Sequence, residues 1–142
     1  VMIGGHCVKS WSSTQPKVTL SSGEAEYYGI VKAASEGMGI QSMLRDMGYE
    51  MKLRVNTDSK ATIGICSRRG MGKRRHIDTR KLWVQEEIAE GRLALDKVWG
   101  VENPADMMTK YKERATIDKY LDMMGVLRLS GRHHLAPGCD MV

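Results

Sequence analysis

The chain has no phenylalanine, only three prolines and three cysteines, and no run of 18 or more apolar residues. Each scarcity excludes something. Without a long apolar run there is no helical membrane span to expect, and without a basic segment leading into an apolar stretch at the start there is no signal peptide to read. Cys7, Cys66 and Cys139 are odd in number and widely spaced, with no CxxC pair, which argues against a disulfide framework and against a zinc site. A reducing, intracellular setting for a soluble chain is the expectation. The missing phenylalanine is matched by eleven methionines, a matter of how a core is filled rather than of function.

What is present describes one globular domain. The length of 142 residues, with 42% hydrophobic and 27% charged, suffices for a core without disulfide staples. The formal net charge of +5 leaves a polyanion as a plausible partner, and its location sharpens the point. Arg68, Arg69, Lys73, Arg74, Arg75, Arg80 and Lys81 face a single acid, Asp78, among Gly70 and Gly72. This reads as a basic loop, either a nucleic-acid contact or a solvated surface segment.

Along the chain, VMIGGHCVKSW reads as extended, with Gly4-Gly5 permitting a bend or bulge, and KVTL at 17–20 reads as a second strand, the two forming a hairpin joined by SSTQP. From Ser22 to about Met47 the spacing is helical, clearest in Ile40, Met43, Leu44 and Met47, with Gly37 and Gly39 expected to weaken or bend the middle. MKLRVNT at 51–57 alternates strictly and predicts a strand. A short helix over 59–66, the basic loop, a helix over 78–90 ending at Gly91, and a strand over 92–100 follow. NPADMMTK then opens a helix with Asn103 as N-cap and Pro104 in the first helical position. The order predicts an α/β sheet, an antiparallel hairpin beside parallel strands, flanked by helices. Residues 126–142 have no sustained periodicity and are expected to be a loose tail; His133, His134 and Cys139 lack a fourth metal ligand nearby.

Three acids stand where chemistry is plausible, each with a plain structural alternative. Ser21 and Glu24 have capping-box spacing, so Glu24 has a structural task. Glu26, two positions on, points elsewhere, and counting onward to Ile30, Ala33 and Gly37 places it on the stripe facing the sheet; the alternative is an acid reaching solvent from a fraying first turn. Asp58 ends a strand at its carboxyl end, where ligands collect in α/β sheets, or else caps the next helix. Asp106 lies in the first turn of a helix, where the dipole favours an acid in any case. Converging at one end of the sheet, the three would offer hard oxygen donors for divalent cations, and beside a basic loop that suggests phosphodiester chemistry.

The blocks KSWSSTQPKVTLSSGEAEYYG, VNTDSKATIGI, KRRHIDTRKLWVQEEIAEGRLAL and VENPADMMTK resemble, in order and spacing, the ribonuclease H domain of copia-type retrotransposon Pol polyproteins. The resemblance runs from residue 1 to about residue 125 and treats 1–125 as the domain. It implies a ribonuclease H-like mixed sheet and hydrolysis of the RNA strand of an RNA–DNA hybrid during reverse transcription, with two Mg2+ or Mn2+ ions. Glu26, Asp58 and Asp106 fall on the family's acidic positions, as catalytic and metal-binding residues; HIDTR matches a family signature, with Lys73, Arg74, Arg75, His76 and Arg80 expected against nucleic acid. The same resemblance implies a reverse transcriptase domain upstream in one polyprotein and an intracellular location, cytoplasmic in a retroelement particle and also nuclear. In the family a first strand bearing a further acid precedes the strand with which this chain opens, so the chain is expected to be truncated and inactive by itself. A noncatalytic nucleic-acid-binding module of the same fold and a nonfunctional relic are the other readings. Between Asp78 and the tail there is no histidine to carry the leaving-group proton.

Overall fold

The computed structural model describes residues 1–15, 18–70, 82–127 and 131. Its elements run β1 (Met2–Ile3), β2 (His6–Cys7), α1 (Ser22–Asp46), β3 (Leu53–Thr57), α2 (Lys60–Cys66), α3 (Trp83–Ala89), β4 (Leu93–Lys97), two 3-10 turns (Gly100–Glu102 and Pro104–Met108) and α4 (Arg114–Met123). The described residues form a mixed α/β fold with four α-helices and two small sheets, one antiparallel and one parallel.

β3 and β4 are parallel and in register, Leu53 opposite Leu93 and Val55 opposite Leu95. Alternation along β3 turns Val55 and Thr57 inward and leaves Arg54 and Asn56 exposed, as period-two patterning requires. Tyr27, Ile30, Val31 and Ala34 of α1 close over Val55 and Leu93, and Ile65 and Cys66 of α2 with Val84 of α3 complete the core. Burying such side chains is worth roughly 1.5–3 kcal/mol each, so this layer carries most of the stabilisation. α1 runs without a break. Gly37, expected to weaken the helix, is instead its closest approach to the sheet: a Cβ there would stand 2.6 Å from Cδ1 of Leu53.

The expected hairpin is placed differently. Gly4 and Gly5 adopt φ of 55° and 85°, so the chain reverses within two residues and β1 pairs with β2, Met2 opposite Cys7. Of the second strand expected at 17–20, Lys17 lies outside the described residues and the remainder forms no strand, with Val18 and Leu20 exposed. Without burial a strand there has little to hold it. The single mixed sheet expected from the sequence is therefore corrected to two separate two-stranded sheets among the described residues. The hairpin is tied elsewhere, through Cys7 N–H to Met124 C=O (2.9 Å) at the end of α4 and through a Lys9–Glu36 ion pair to α1. A small cavity of about 60 Å³ separates Val1–Ile3 from Leu53 and α1.

The helix predicted from NPADMMTK is a short 3-10 turn, and α4 follows as a separate helix. The 78–81 part of the helix expected over 78–90 lies outside the described residues, as do His133, His134, Cys139 and nearly all of the expected tail at 126–142. Among the described residues no helix is long and apolar enough to cross a membrane.

Candidate acidic site

The start of α1 divides its two glutamates, Glu24 in the first turn and Glu26 just beyond it. Glu24 is buried, 4% exposed, and its Oε2 accepts the Leu20 N–H at 3.0 Å while Ser21 Oγ accepts the Glu24 N–H at 3.2 Å. That is the expected capping box, with the return bond on the residue before the cap. Glu26 differs from the expectation in burial. It stands exposed, beside the buried residues Gly23, Glu24, Tyr27, Ile30 and Val31. Its carboxyl is nevertheless pushed above the ordinary range, first by partial desolvation and then by the negative charges of Asp58 and Asp106, with Lys110 pulling the other way.

Asp58 follows the last residue of β3. The competing task of capping α2 falls to Ser59, whose Oγ accepts the Thr62 N–H at 3.2 Å, so Asp58 is not used as the cap. The loop after β4 arrives beside it: a Cβ on Gly100 would lie 3.5 Å from Asp58 Oδ2. Parallel pairing of β3 and β4 brings their carboxyl ends together, and Val98 N–H bonds to Thr57 C=O at 2.9 Å to hold that juncture. Tyr120, buried on α4, donates its hydroxyl to Gly100 C=O at 3.4 Å and fixes the loop from behind.

Asp106 sits in the 3-10 turn, started by Asn103, whose Oδ1 accepts the Ala105 N–H at 3.2 Å. Lys110 Nζ donates to both of its carboxylate oxygens, at 3.0 and 3.1 Å, and Lys112 Nζ donates to Oδ2 at 3.4 Å. These hydrogen bonds hold the Lys110 ammonium above its usual range, and the charges of Asp58 and Glu26 add to the effect. Three acids from α1, the end of β3 and the 3-10 turn thus act on one another and on one lysine.

The donors suit a hard divalent cation in kind, since all are carboxylate oxygens. Their positions do not complete such a site: among the described residues no three His, Cys, Asp or Glu side chains stand close enough to hold a metal ion. Asp106 is held by two lysines. Sequence reasoning gave Lys110 and Lys112 no role, although the four-residue spacing of Asp106 and Lys110 was the available signal.

The basic residues Lys73, Arg74, Arg75, His76 and Arg80 lie outside the described residues. Where the described chain stops before them, Gln85 takes hold: from a buried position its Nε2 donates to Ile65 C=O (2.8 Å) and Gly70 C=O (3.1 Å), and its Oε1 accepts the Gly70 N–H (2.8 Å). No pattern in the sequence marked this glutamine, because its partners are backbone groups 15 and 20 residues away.

No protein-family model matches the chain, and no solved structure does. Among curated proteins it is 32% identical over 121 residues to the retrovirus-related Pol polyprotein from transposon TNT 1-94 of Nicotiana tabacum, covering 82% of this chain and 9% of that protein. It is 28% and 27% identical, each over 129 residues, to the retrovirus-related Pol polyproteins from transposons RE1 and RE2 of Arabidopsis thaliana, in each case over 88% of this chain. The chain spans about a tenth of the length of these relatives, 9% in each. Its homologues are therefore retrovirus-related Pol polyproteins of copia-type transposons, and what it resembles in each is one short region of the polyprotein.

Proposed function

We propose that the chain is a ribonuclease H-type module that engages an RNA–DNA hybrid and contributes Glu26, Asp58 and Asp106 to hydrolysis of its RNA strand during reverse transcription. What supports the reading is that Asp58 follows β3 where the loop after β4 arrives beside it, and that the charges of Asp58 and Asp106 both act on Glu26. Two Mg2+ or Mn2+ ions, when bound, supply an activated water and charge stabilisation at the leaving oxygen. The chain's own residues do the positioning. Ser59 caps α2 in place of Asp58, Tyr120 secures the Gly100 loop beside Asp58, and Glu24 fixes the turn that presents Glu26. Gln85 anchors the root of the basic segment, whose Lys73, Arg74, Arg75, His76 and Arg80 are proposed to meet the hybrid's phosphates. A reverse transcriptase domain upstream in the same polyprotein is the proposed partner, and a cytoplasmic retroelement particle the proposed location.

A second reading, a noncatalytic nucleic-acid-binding module of the same fold, is favoured by the two lysines on Asp106. The test is hydrolysis of a hybrid with labelled RNA in Mg2+ or Mn2+, by the chain alone and joined behind a reverse transcriptase domain. The expected result is metal-dependent shortening of the RNA, lost in Glu26→Gln and Asp58→Asn and kept in Glu24→Gln. Hybrid binding that weakens with salt but never leads to cutting, in either form, leaves the second reading. Absence of both binding and cutting overturns the two together.

A further inference from the structure

The loop after β4 carries an exposed tryptophan on a held backbone. Trp99 is 67% exposed and Val101, two residues on, 72%. Four hydrogen bonds fix the chain around them: Val98 N–H to Thr57 C=O (2.9 Å), Glu102 N–H to Trp99 C=O (2.8 Å), the Tyr120 hydroxyl to Gly100 C=O (3.4 Å) and Lys119 Nζ to Val101 C=O (3.3 Å). A tryptophan that served the core would be buried, since its ring is among the largest apolar surfaces a chain can remove from water. This one is presented outward instead. Over its ring, 4.2 Å from the centroid, stands the Lys97 ammonium.

The charge beside the ring favours an anion. Among the described residues no acid pairs with Lys97, and Asp96, next to it on β4, is taken by Arg54 at 3.0 Å. The contact of Lys9 with Trp11 differs on both counts, for Trp11 is half-buried and Lys9 is paired with Glu36. Lys119 is exposed and brings a second ammonium to the same turn, against one exposed acid there, Glu102. Ammonium groups beside an open indole suit a nucleotide, the cations taking phosphate and the ring taking the base. A ring stacks only on a base whose own face is open, so the ligand is an unpaired nucleotide rather than the interior of a duplex. A protein surface covering Trp99 and Val101 would have to draw Lys97 and Lys119 out of water as well, whereas a phosphodiester chain meets them with opposite charge. The next residue, Gly100, is the one whose Cβ would lie 3.5 Å from Asp58 Oδ2, so the ring borders the candidate site. We infer that Trp99, with Lys97 and Lys119, is a stacking subsite for an unpaired nucleotide at the single-stranded flank of a bound hybrid. This subsite rests on the reading of the chain as a nucleic-acid-engaging module and requires no metal ion at the acids.

The experiment is fluorescence anisotropy of labelled RNA–DNA hybrids with the whole 142-residue chain at low ionic strength. The probes are a blunt hybrid, the same hybrid with thymidine overhangs on its DNA strand, and the overhang form with abasic units in place of the thymidines. The thymidine overhang is expected to tighten binding about five- to thirtyfold over the blunt end, and the abasic overhang to lose most of that gain. Trp99→Leu, at an exposed position, is expected to keep the parent's Tm and to bind thymidine and abasic overhangs alike, while Trp99→Phe keeps part of the gain. Lys97→Met lowers the slope of log affinity against log salt by about 0.7, for one phosphate contact on a single strand. Tyr49→Leu, which removes a 63% exposed ring before β3 at the opposite end of the parallel pair, leaves the gain intact. A gain that persists in Trp99→Leu, or on abasic units with the parent, overturns the subsite, while binding and cutting of the blunt hybrid still judge the proposed function. Trp99-dependent binding of the overhang with no cutting of any hybrid keeps the subsite and removes the hydrolytic reading. Self-association of the parent that Trp99→Leu abolishes, measured by sedimentation without nucleic acid, makes the face a contact between copies and overturns the subsite. No binding of any probe overturns the subsite and the proposed function together.

Discussion

The two glutamates near the start of α1, Glu24 and Glu26, are expected to respond oppositely to removal. Glu24 is 4% exposed, accepts the Leu20 N–H at 3.0 Å and lies at the positive end of a 25-residue helix. Glu24→Ala deletes a capping contact of about 1 kcal/mol and a favourable charge–dipole interaction of roughly 0.5 kcal/mol, with some loss of packing, for a total of about 2 kcal/mol. For a domain of this size that corresponds to a fall in Tm of about 4–8 °C. Glu26→Gln removes a charge that its neighbours disfavour. Its carboxyl is raised above the ordinary value by desolvation and by Asp58 and Asp106, so the folded chain takes up that proton more readily than the unfolded chain. The group therefore favours folding below the unfolded value of about 4.5 and turns adverse as pH rises through the raised folded value. Glu26→Gln is expected to leave stability unchanged in acid and to raise it slightly at pH 7, by a few tenths of a kcal/mol once solvent screening of an exposed group is counted. Urea denaturation of the parent and both variants at pH 4 and pH 7 measures this. Equal destabilisation by the two substitutions at pH 7, or a loss from Glu26→Gln, would refute the division of labour.

Three further outcomes follow from local geometry. Gly37→Val forces a branched side chain against Leu53, whose Cδ1 lies 2.6 Å from the position of a Cβ, and is expected to cost about 1–3 kcal/mol in urea denaturation; Gly37→Ala is milder, because Leu53 can shift and alanine favours the helix. Gln85→Leu leaves the Ile65 and Gly70 backbone groups without their partner, an expected loss of about 2–3 kcal/mol, and amide exchange at Gly70 should rise more than at Val55 if the glutamine anchors the segment locally. Cys66 is buried and its thiol is pushed up to about 11, so in a Cys139→Ser background one thiol, Cys7, should react with a disulfide reagent at pH 8 and the second only after denaturant is added.

Local features of the fold were legible and long-range ones were not. Ser21 with Glu24, Asn103 with Pro104, and Gly91 at φ 72° each declare a helix end through a bond or dihedral made within a few residues, and each is found where expected, whereas the cap of α2 is Ser59 rather than Asp58. The strand at 17–20 failed because four residues of alternation match almost any half-polar segment, while Gly4-Gly5 offered a tighter reversal nearby. Gly37 was misjudged for a related reason. A glycine in a helix reads as a weakness until the strand that needs its missing side chain is in place. α4 was not anticipated as a separate helix, although Ile117, Tyr120, Leu121 and Met124 repeat at helical spacing, because the capping signal at Asn103 predicts a start and says nothing of where the helix stops.

The acidic site shows the same division at finer scale. That Glu24 and Glu26 cannot share a task follows from helix geometry alone, and the structure adds which of them is buried, the reverse of what the apolar stripe suggested for Glu26. A carboxylate with a backbone N–H to accept is cheaper to bury than one whose charge Asp58 and Asp106 oppose and Lys110 offsets in part, so the cap goes inside and the second acid stays at the rim. The spacing of Asp106 and Lys110 offered one counter-charge in the sequence, but Lys112 could not be located in the same way, because only the fold of the 3-10 turn selects it over Lys119 or Arg114. Position in the fold, rather than residue type, is thus what separates a lysine paired with Asp106 from one that merely contributes to the net charge of +5.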